Sequence, residues 1–337
     1  MNIGEIARRS GVARSTVSYA LSGKRPVSEE TRRRIQAVID ELDYRPNATA
    51  RALKEGRTRT LGLVIPPAGG RLTSMQLDFV ASVVEAAGRV DLDVLLSPSG
   101  ADHGDSFDRL ISGRRVDGVI LMELRLTDPR ITRLEQAGTP FVTIGRSNNP
   151  DRTWWVDLDY ATLVSRCVHH LADLGHTHIA LMNRSPELMS AGYGPATRAH
   201  EGFHDAVRSR GLTGTESCCP DEAPAGEECT SRLLTEHPQT TAIVTINEAA
   251  LPGVQRALER AGLEVPAQFS VVGVAGRQWA EEFRPQLTAA DVPSLEIGAT
   301  AVDLLTARIA EPEAAARHRL FAPPISLRGS SGPVPGR

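Results

Sequence analysis

Histidine, cysteine and arginine are the residue types with the widest chemical reach in this 337-residue chain, and their spacing decides what each could do. His169-His170 and His176-x-His178 bring imidazoles close together, but a zinc site needs three or four ligands that close on one point, and no such set is apparent around them. No metal is expected. Cys167, Cys218, Cys219 and Cys229 show no C-x-x-C spacing and are too few for a disulfide framework. Cys218-Cys219 is vicinal and closes poorly on itself, which leaves a redox role for Cys229 as a minor alternative. No Walker A loop and no G-x-G-x-x-G after a strand is present, so nucleotide cofactors have no support. No cofactor is expected, and no motif argues for an enzyme.

The arginines say more. The net charge of −3 hides a split. Residues 1–60 hold 13 of the 38 basic and 7 of the 41 acidic residues, a balance of +6, and the rest of the chain stands at −9. A small basic head suited to a polyanion precedes a large acidic body that is not. No apolar run reaches 18 residues, so no transmembrane helix is expected. The start, MNIGEIARRSG, has no apolar core of a secretory signal.

The elements that must carry these residues follow from periodicity. Ile3, Ile6 and Ala7 give one helical face, broken at Gly11. Val17, Ala20 and Leu21 give a second, ended by Gly23. Ser28 suits an N-cap, with Glu29 and Glu30 where the helix dipole favours acids. Ile35, Val38, Ile39 and Leu42 mark the third helix, ended by Tyr44 and Pro46. Two helices joined by a tight turn in a basic segment fit a helix-turn-helix, and on spacing alone a generic three-helix bundle fits equally well.

From residue 61 strand-length apolar runs alternate with helix-length segments. The strands are read at 61–66, 93–97, 117–122, 140–145, 179–182, 242–246 and 270–274. Helices are read around 74–89, 103–114, 129–137, 161–174, 198–210, 226–236 and 249–261. This is the βαβ pattern of parallel sheets covered on both faces, in two successive sets, and a cleft between two such lobes is a common ligand site.

These residues support a resemblance. The stretches IARRSGVARSTVSYALSGKRPVSEETRRRI (6–35), YRPNATARALKEGRTRTLGLVIP (44–66), RRVDGVIL (114–121), HHLADLGHTHIALM (169–182) and VPAQFSVVGV (265–274) resemble the LacI/GalR family of bacterial transcription regulators. A degenerate LRGSSGP (327–333) completes the series, and the match runs the whole length. The resemblance implies an all-α helix-turn-helix head plus an α/β two-lobed periplasmic-binding-protein-like core with doubly wound parallel sheets. The expected divisions are a DNA-binding domain at 1–46, a hinge helix and linker at 47–59, a sensing and dimerisation core at 60–330, and a flexible tail at 331–337. Within the core the N-lobe takes about 60–160 and 290–322, the C-lobe about 161–289 and 323–330.

The resemblance also implies roles. The second helix, about Arg14–Leu21, would enter the major groove, with Arg14 and Ser15 as base readers. An arginine forked onto guanine gives about 1–3 kcal/mol of discrimination, and a phosphate contact is the alternative for Arg14. Thr16 and Ser18 suit phosphates. Tyr19, where many members carry Arg, could meet a thymine methyl or a phosphate. Ala13 stands where a capping Ser is common, a loss of about 0.5–2 kcal/mol. Asn47–Gly56 matches the hinge helix, with Asn47, Arg51 and Lys54 near phosphates and the minor groove and Leu53 as a wedge into a base step. His176 falls in a structural turn.

The effector would lie between the lobes, with Arg71, Arg146, Arg198 and Asn247 as candidate contacts. The usual acidic pair after the VVG strand reads Ala275-Gly276, and Arg198 stands one residue out of register, so the pocket is atypical for a sugar. The implied partners are double-stranded operator DNA, a small-molecule effector (a sugar or derivative by family habit) and a second copy of the chain, with no membrane and a cytoplasmic location. A periplasmic-type binding protein is the rival, and it would lack the basic head.

Overall fold

The computed structural model describes residues 3–22, 25–42, 56–65, 72–98, 104–113 and 115–334, which fall into two units dividing between Thr58 and Arg59. In the smaller unit, α1 (Ile3–Ser10), α2 (Arg14–Ser22) and α3 (Glu29–Glu41) pack around Ile6, Ala7, Val17 and Ile35. Gly11 ends α1 at φ +66°, where a side chain would be strained, and the amide of Val12 donates back to the Ala7 carbonyl at 3.0 Å. Ser28 caps α3 by accepting from the Thr31 amide. Gly23, Tyr44 and Pro46, expected to end α2 and α3, lie outside the described residues, as does the proposed hinge from Asn47 to residue 55.

The larger unit contains two six-stranded sheets. The N-lobe sheet has the order β11-β5-β4-β3-β1-β2, from β1 (Thr60–Ile65), β2 (Asp93–Pro98), β3 (Gly118–Leu121), β4 (Phe141–Ile144), β5 (Trp155–Leu158) and β11 (His318–Phe321), every pair parallel. The C-lobe sheet has the order β12-β10-β9-β8-β6-β7, from β6 (His178–Asn183), β7 (Thr213–Cys218), β8 (Ala242–Thr245), β9 (Ser270–Ala275), β10 (Thr288–Asp291) and β12 (Ile325–Ser326). Only the last pair, β10 with β12, is antiparallel. The central strands β3, β8 and β9 are buried throughout, which is why they read as unbroken apolar runs. The chain passes between the lobes three times, after β5, β10 and β11.

The N-lobe helices are α4 (Ser74–Gly88), α5 (Gly104–Ser112) and α6 (Pro129–Gln136), with α13 (Ser294–Ala310) returning to pack on α4. The C-lobe carries α7 (Tyr160–Asp173), α8 (Pro186–Ser190), α9 (Gly194–Ser209), α10 (Ala223–Glu236), α11 (Leu251–Arg260) and α12 (Arg277–Glu282). Thr73 and Gln76 form a reciprocal capping box that fixes the first turn of α4. Helix α9 begins at Gly194, earlier than the periodicity suggests, because Pro195 opens it.

One expectation is corrected. The chain end is not loose from residue 331: residues 330–334 are tied into the C-lobe. Ser330 is fully buried, donates to the Val271 carbonyl at 2.5 Å and accepts from the Thr288 amide at 2.8 Å. The Gly332 carbonyl lies 3.1 Å from His176 Nε2, and Val334 donates to Leu174 at 3.0 Å. Glycine, serine and proline composition suggested mobility, but buried polar groups of the sheet need these partners. His176 is correspondingly buried, with Thr241 on its other nitrogen at 2.7 Å, a turn-and-tail clasp rather than a metal ligand. Ser330→Ala should lower stability by about 1–3 kcal/mol, since it strands the Val271 carbonyl and the Thr288 amide. The midpoint of urea unfolding measures this, and an unchanged midpoint would show that the two Ser330 hydroxyl bonds contribute nothing.

Candidate functional site

In the head, Val17 and Ala20 turn inward and define the outward side of α2 by exclusion. Ser15, Ser18 and Tyr19 lie on the opposite side, Arg14 at its N-terminal rim and Thr16 on the flank. Arg14 and Ser15 are exposed. The Arg14 guanidinium lies along Gly4 so closely that a Cβ there would come within 2.6 Å of it. Tyr19 has the Arg25 guanidinium 5.3 Å over its ring. Ala13 leaves α2 without a side-chain cap, and its carbonyl instead starts the helix by accepting from Thr16 and Val17. Asn47, Arg51, Leu53 and Lys54 lie outside the described residues, and so does Arg71 of the candidate effector set.

In the body, residues of both lobes line a cavity of about 40 Å³. Its walls include Phe79, Ile144, Tyr160 and Tyr193, with Glu123 and Asp157 as the acidic groups. Asp157 comes from β5, and its side chain is almost fully buried. One carboxylate oxygen accepts from the Leu158 amide at 2.8 Å; the other, Oδ2, is buried with no hydrogen-bond partner among the described residues. The Arg146 Nε stands 3.6 Å from it, too far for a hydrogen bond. Burial pushes the Asp157 carboxyl up to about 6, against the pull of Arg198 and Arg146. Burial likewise lowers Arg198 although Asp157 faces it. Desolvation outweighs attraction on both sides of this pair.

Arg146 and Arg198 are brought together as expected candidates should be. Arg198 Nη2, on α9, donates to the Arg146 carbonyl at 2.8 Å, across the cleft from C-lobe to N-lobe. Arg146 itself faces Asp157 and Asp159 and lies 5.7 Å from the Trp155 ring centre. Asn247 bonds within its own lobe. It is buried, and its amide nitrogen donates to the carbonyls of Cys219 at 2.8 Å and Pro220 at 3.4 Å, so it holds a loop of its own lobe.

Its neighbour Glu248 is the cleft residue. Glu248 Oε1 accepts from the Met75 amide at 2.9 Å, in the first turn of α4 in the other lobe, and Oε2 accepts from the Gly276 amide at 3.3 Å. A carboxylate therefore stands beside Gly276 although residues 275–276 carry none. Burial raises the Glu248 carboxyl, and the two amides oppose that shift. Further along, Tyr193 donates to Glu123 Oε1 at 3.2 Å, and Arg184 pairs with Asp221 at 2.5 Å and lies 5.4 Å from the Tyr193 ring centre. Glu123 has φ +54°, a left-handed conformation costing a non-glycine residue about 1 kcal/mol or more. Main-chain bonds from Leu126 to Gly192 and from Gly194 to Leu124 finish the lobe contact. Sequence reasoning missed Asp157, Glu123, Tyr193, Arg184 and Glu248; the available signal was a carboxylate set inside the apolar run WVDL.

With this geometry in hand, the chain was compared with known proteins. The profile of bacterial regulatory proteins of the lacI family matches residues 2–47, and that of a periplasmic binding protein-like domain matches residues 168–331. The HTH-type transcriptional regulator AglR of Rhizobium meliloti (strain 1021) is 30% identical over 100% of this chain and 96% of its own length. Among solved structures, the Lac repressor dimer bound to operator and the anti-inducer ONPF has a TM-score of 0.86 at 23% identity, covering 98% of this chain and 99% of that one. The complex of the transcriptional regulator CelR with cellobiose has a TM-score of 0.72 at 24% identity, with the same coverage of both chains. At these identities the solved structures speak for the fold.

The Asp157 environment has a measurable consequence. Between the ordinary value of 3.8 and the folded value of about 6, the folded chain binds more protons at this site than the unfolded chain. Stability from this group therefore falls as pH rises through that window. Asp157→Asn removes the slope and should stabilise the protein at pH 7 by on the order of 2–3 kcal/mol. Urea midpoints at pH 5 and pH 7 for both proteins measure it, and a destabilised variant at pH 7 would contradict the assignment.

Proposed function

The chain belongs to the LacI family of bacterial regulatory proteins and is a DNA-binding transcriptional regulator with a small-molecule effector, not an enzyme; from that premise we propose how its residues divide the work. Two copies act on a near-palindromic operator as a repressor, each laying α2 in a major groove. Arg14 and Ser15 read base edges, and Thr16, Ser18 and Tyr19 hold phosphates or a thymine methyl. The exposure of Arg14 and Ser15, with Val17 turned into the core of the head, supports this division. The roles of Asn47, Arg51, Lys54 and the wedge Leu53 rest on the family resemblance alone. A dimer is supported by Leu77 and Val84, seven residues apart on α4 and each about half exposed, and by the exposed Leu96 of the edge strand β2. The family role goes with a cytoplasmic location, and among the described residues no helix is long and apolar enough to cross a membrane.

The effector binds between the lobes and is a polyhydroxyl compound, a sugar or sugar derivative. The single observation that carries this reading is the buried Asp157 Oδ2, left without a hydrogen-bond partner among the described residues at the wall of the interlobe cavity. A ligand hydroxyl can donate to it. Arg198 and Glu248, whose bonds cross the cleft, supply a donor and an acceptor once the lobes part, and the aromatic rings of Phe79, Tyr160 and Tyr193 suit the apolar face of a sugar ring. CelR, of the same fold, is known with cellobiose bound. The cavity of about 40 Å³ is far smaller than such a ligand, so the lobes must open to admit it.

Binding to promoter fragments across a salt series, with wild type and Arg14→Ala, tests the DNA assignment. Affinity should fall steeply with salt. Arg14→Ala should relax base preference at one position of each half-site, worth about 1–3 kcal/mol. A uniform loss with a salt slope shallower by about 1 would make Arg14 a phosphate contact instead. For the effector, a thermal-shift screen of mono- and disaccharides should find a ligand that raises the melting temperature of wild type and not of Asp157→Asn. A screen in which only organic acids shift the protein would overturn the polyhydroxyl reading.

A further inference from the structure

We propose that His200, His204 and Glu216 form a binding site for one divalent transition-metal ion of the zinc class on the outer side of the C-lobe. His200 and His204 stand four residues apart on α9, so both rings project from one side of the helix. Glu216 reaches them from β7, the edge strand of the C-lobe sheet. His200 Nδ1 lies 2.5 Å and His204 Nε2 3.1 Å from the same oxygen, Glu216 Oε2. The two rings are 4.4 Å apart and tilted by 59°. One nitrogen from each histidine and one carboxylate oxygen all fall within 4.8 Å of one another. None of the three is fully buried, so an ion has access from solvent.

The chemistry of the set selects the ion. Two imidazoles and one carboxylate suit zinc and its first-row neighbours, whereas magnesium and calcium prefer all-oxygen sites. In the absence of an ion, both imidazoles must direct their one N–H at a single oxygen. A cation in place of the two protons meets all three lone pairs at about 2.0–2.2 Å once the side chains turn toward it. Three protein ligands leave a fourth position for water or an exogenous ligand. Support from the next layer is in place: Asn183 donates from its amide to Glu216 Oε1 at 2.8 Å and to the Ala196 carbonyl at 3.0 Å, which fixes the carboxylate against the start of the same helix. An ion here ties α9 to the sheet edge, and α9 is the helix whose Arg198 crosses the cleft. The site is independent of the effector reading.

The test uses the full chain, stripped with a chelator and dialysed against micromolar zinc, with metal per chain read by elemental analysis and affinity by calorimetry. Wild type should hold one equivalent and gain in melting temperature. His200→Ala, His204→Ala and Glu216→Gln should each weaken binding at least about a hundredfold, since loss of an outer partner alone costs about 10–100-fold. His318→Ala, an exposed histidine of the N-lobe, should bind as wild type does. Cobalt in place of zinc should give a spectrum without a thiolate charge-transfer band. No binding by wild type, unchanged binding by the three variants, or a thiolate band that brings in Cys218 would each overturn the proposal.

Discussion

A carboxylate buried without a full set of partners is costly, and the body of this protein is arranged around one. Asp157 sits in β5, the strand after which the chain first leaves the N-lobe. Its backbone is fixed by pairing with β4 on one side and β11 on the other. Its side chain therefore cannot retreat to water, and the lobes close over it with Arg146 from one side and Arg198 from the other. Neither guanidinium reaches hydrogen-bond distance of Oδ2. The residual cost appears as a carboxyl pushed up to about 6, and it is the kind of local strain that persists where a ligand relieves it.

The closed cleft is stabilised by groups that also suit a ligand. Glu248 places its carboxylate on the Met75 amide, at the positive end of α4, where an anionic or hydroxyl-bearing ligand could otherwise sit. Glu123 does the same for Tyr193, and the Arg146 carbonyl for Arg198. Closing and binding thus compete for the same donors and acceptors. That competition is the requirement for a two-state device, since a ligand shifts the lobes only by its differential affinity for the two arrangements.

Much of this fold was legible in the sequence because parallel strands covered on both faces must be continuously apolar. LGLV, GVIL, AIVT and SVVGVA satisfy that and read at once. TGTESC is an edge strand with solvent on one side, TAAD is built of small residues, and HRLF is largely exposed, so none carried the apolar signal. WVDL hid because the residue that matters most is a charge inside a buried strand. At the site, family pattern pointed to Arg146, Arg198 and Asn247, and tertiary packing added what no pattern could show: the Asn247 amide nitrogen bonds residues 219–220 of its own lobe, while the neighbouring Glu248 carries the bond across the cleft. His200, His204 and Glu216 were illegible for another reason, since two are helical neighbours and the third joins them only through the α9–β7 packing.

The same inventory of groups limits which molecules can open the cleft. When the lobes part, Glu248 loses an amide donor, Arg198 loses a carbonyl and the Tyr193 hydroxyl loses a carboxylate, while Asp157 already lacks a donor. An apolar guest would leave each of these groups unpaired at about 1–3 kcal/mol apiece. A simple anion could replace Glu248 on α4 but would stand against Glu123 and Asp157. A hydroxyl both donates and accepts, so a ring bearing several can serve the carboxylates and the arginine together while its apolar face meets Phe79 and Tyr160. Discrimination here follows from the penalty on whatever leaves these groups unsatisfied, which exceeds what shape alone can give in an apolar pocket.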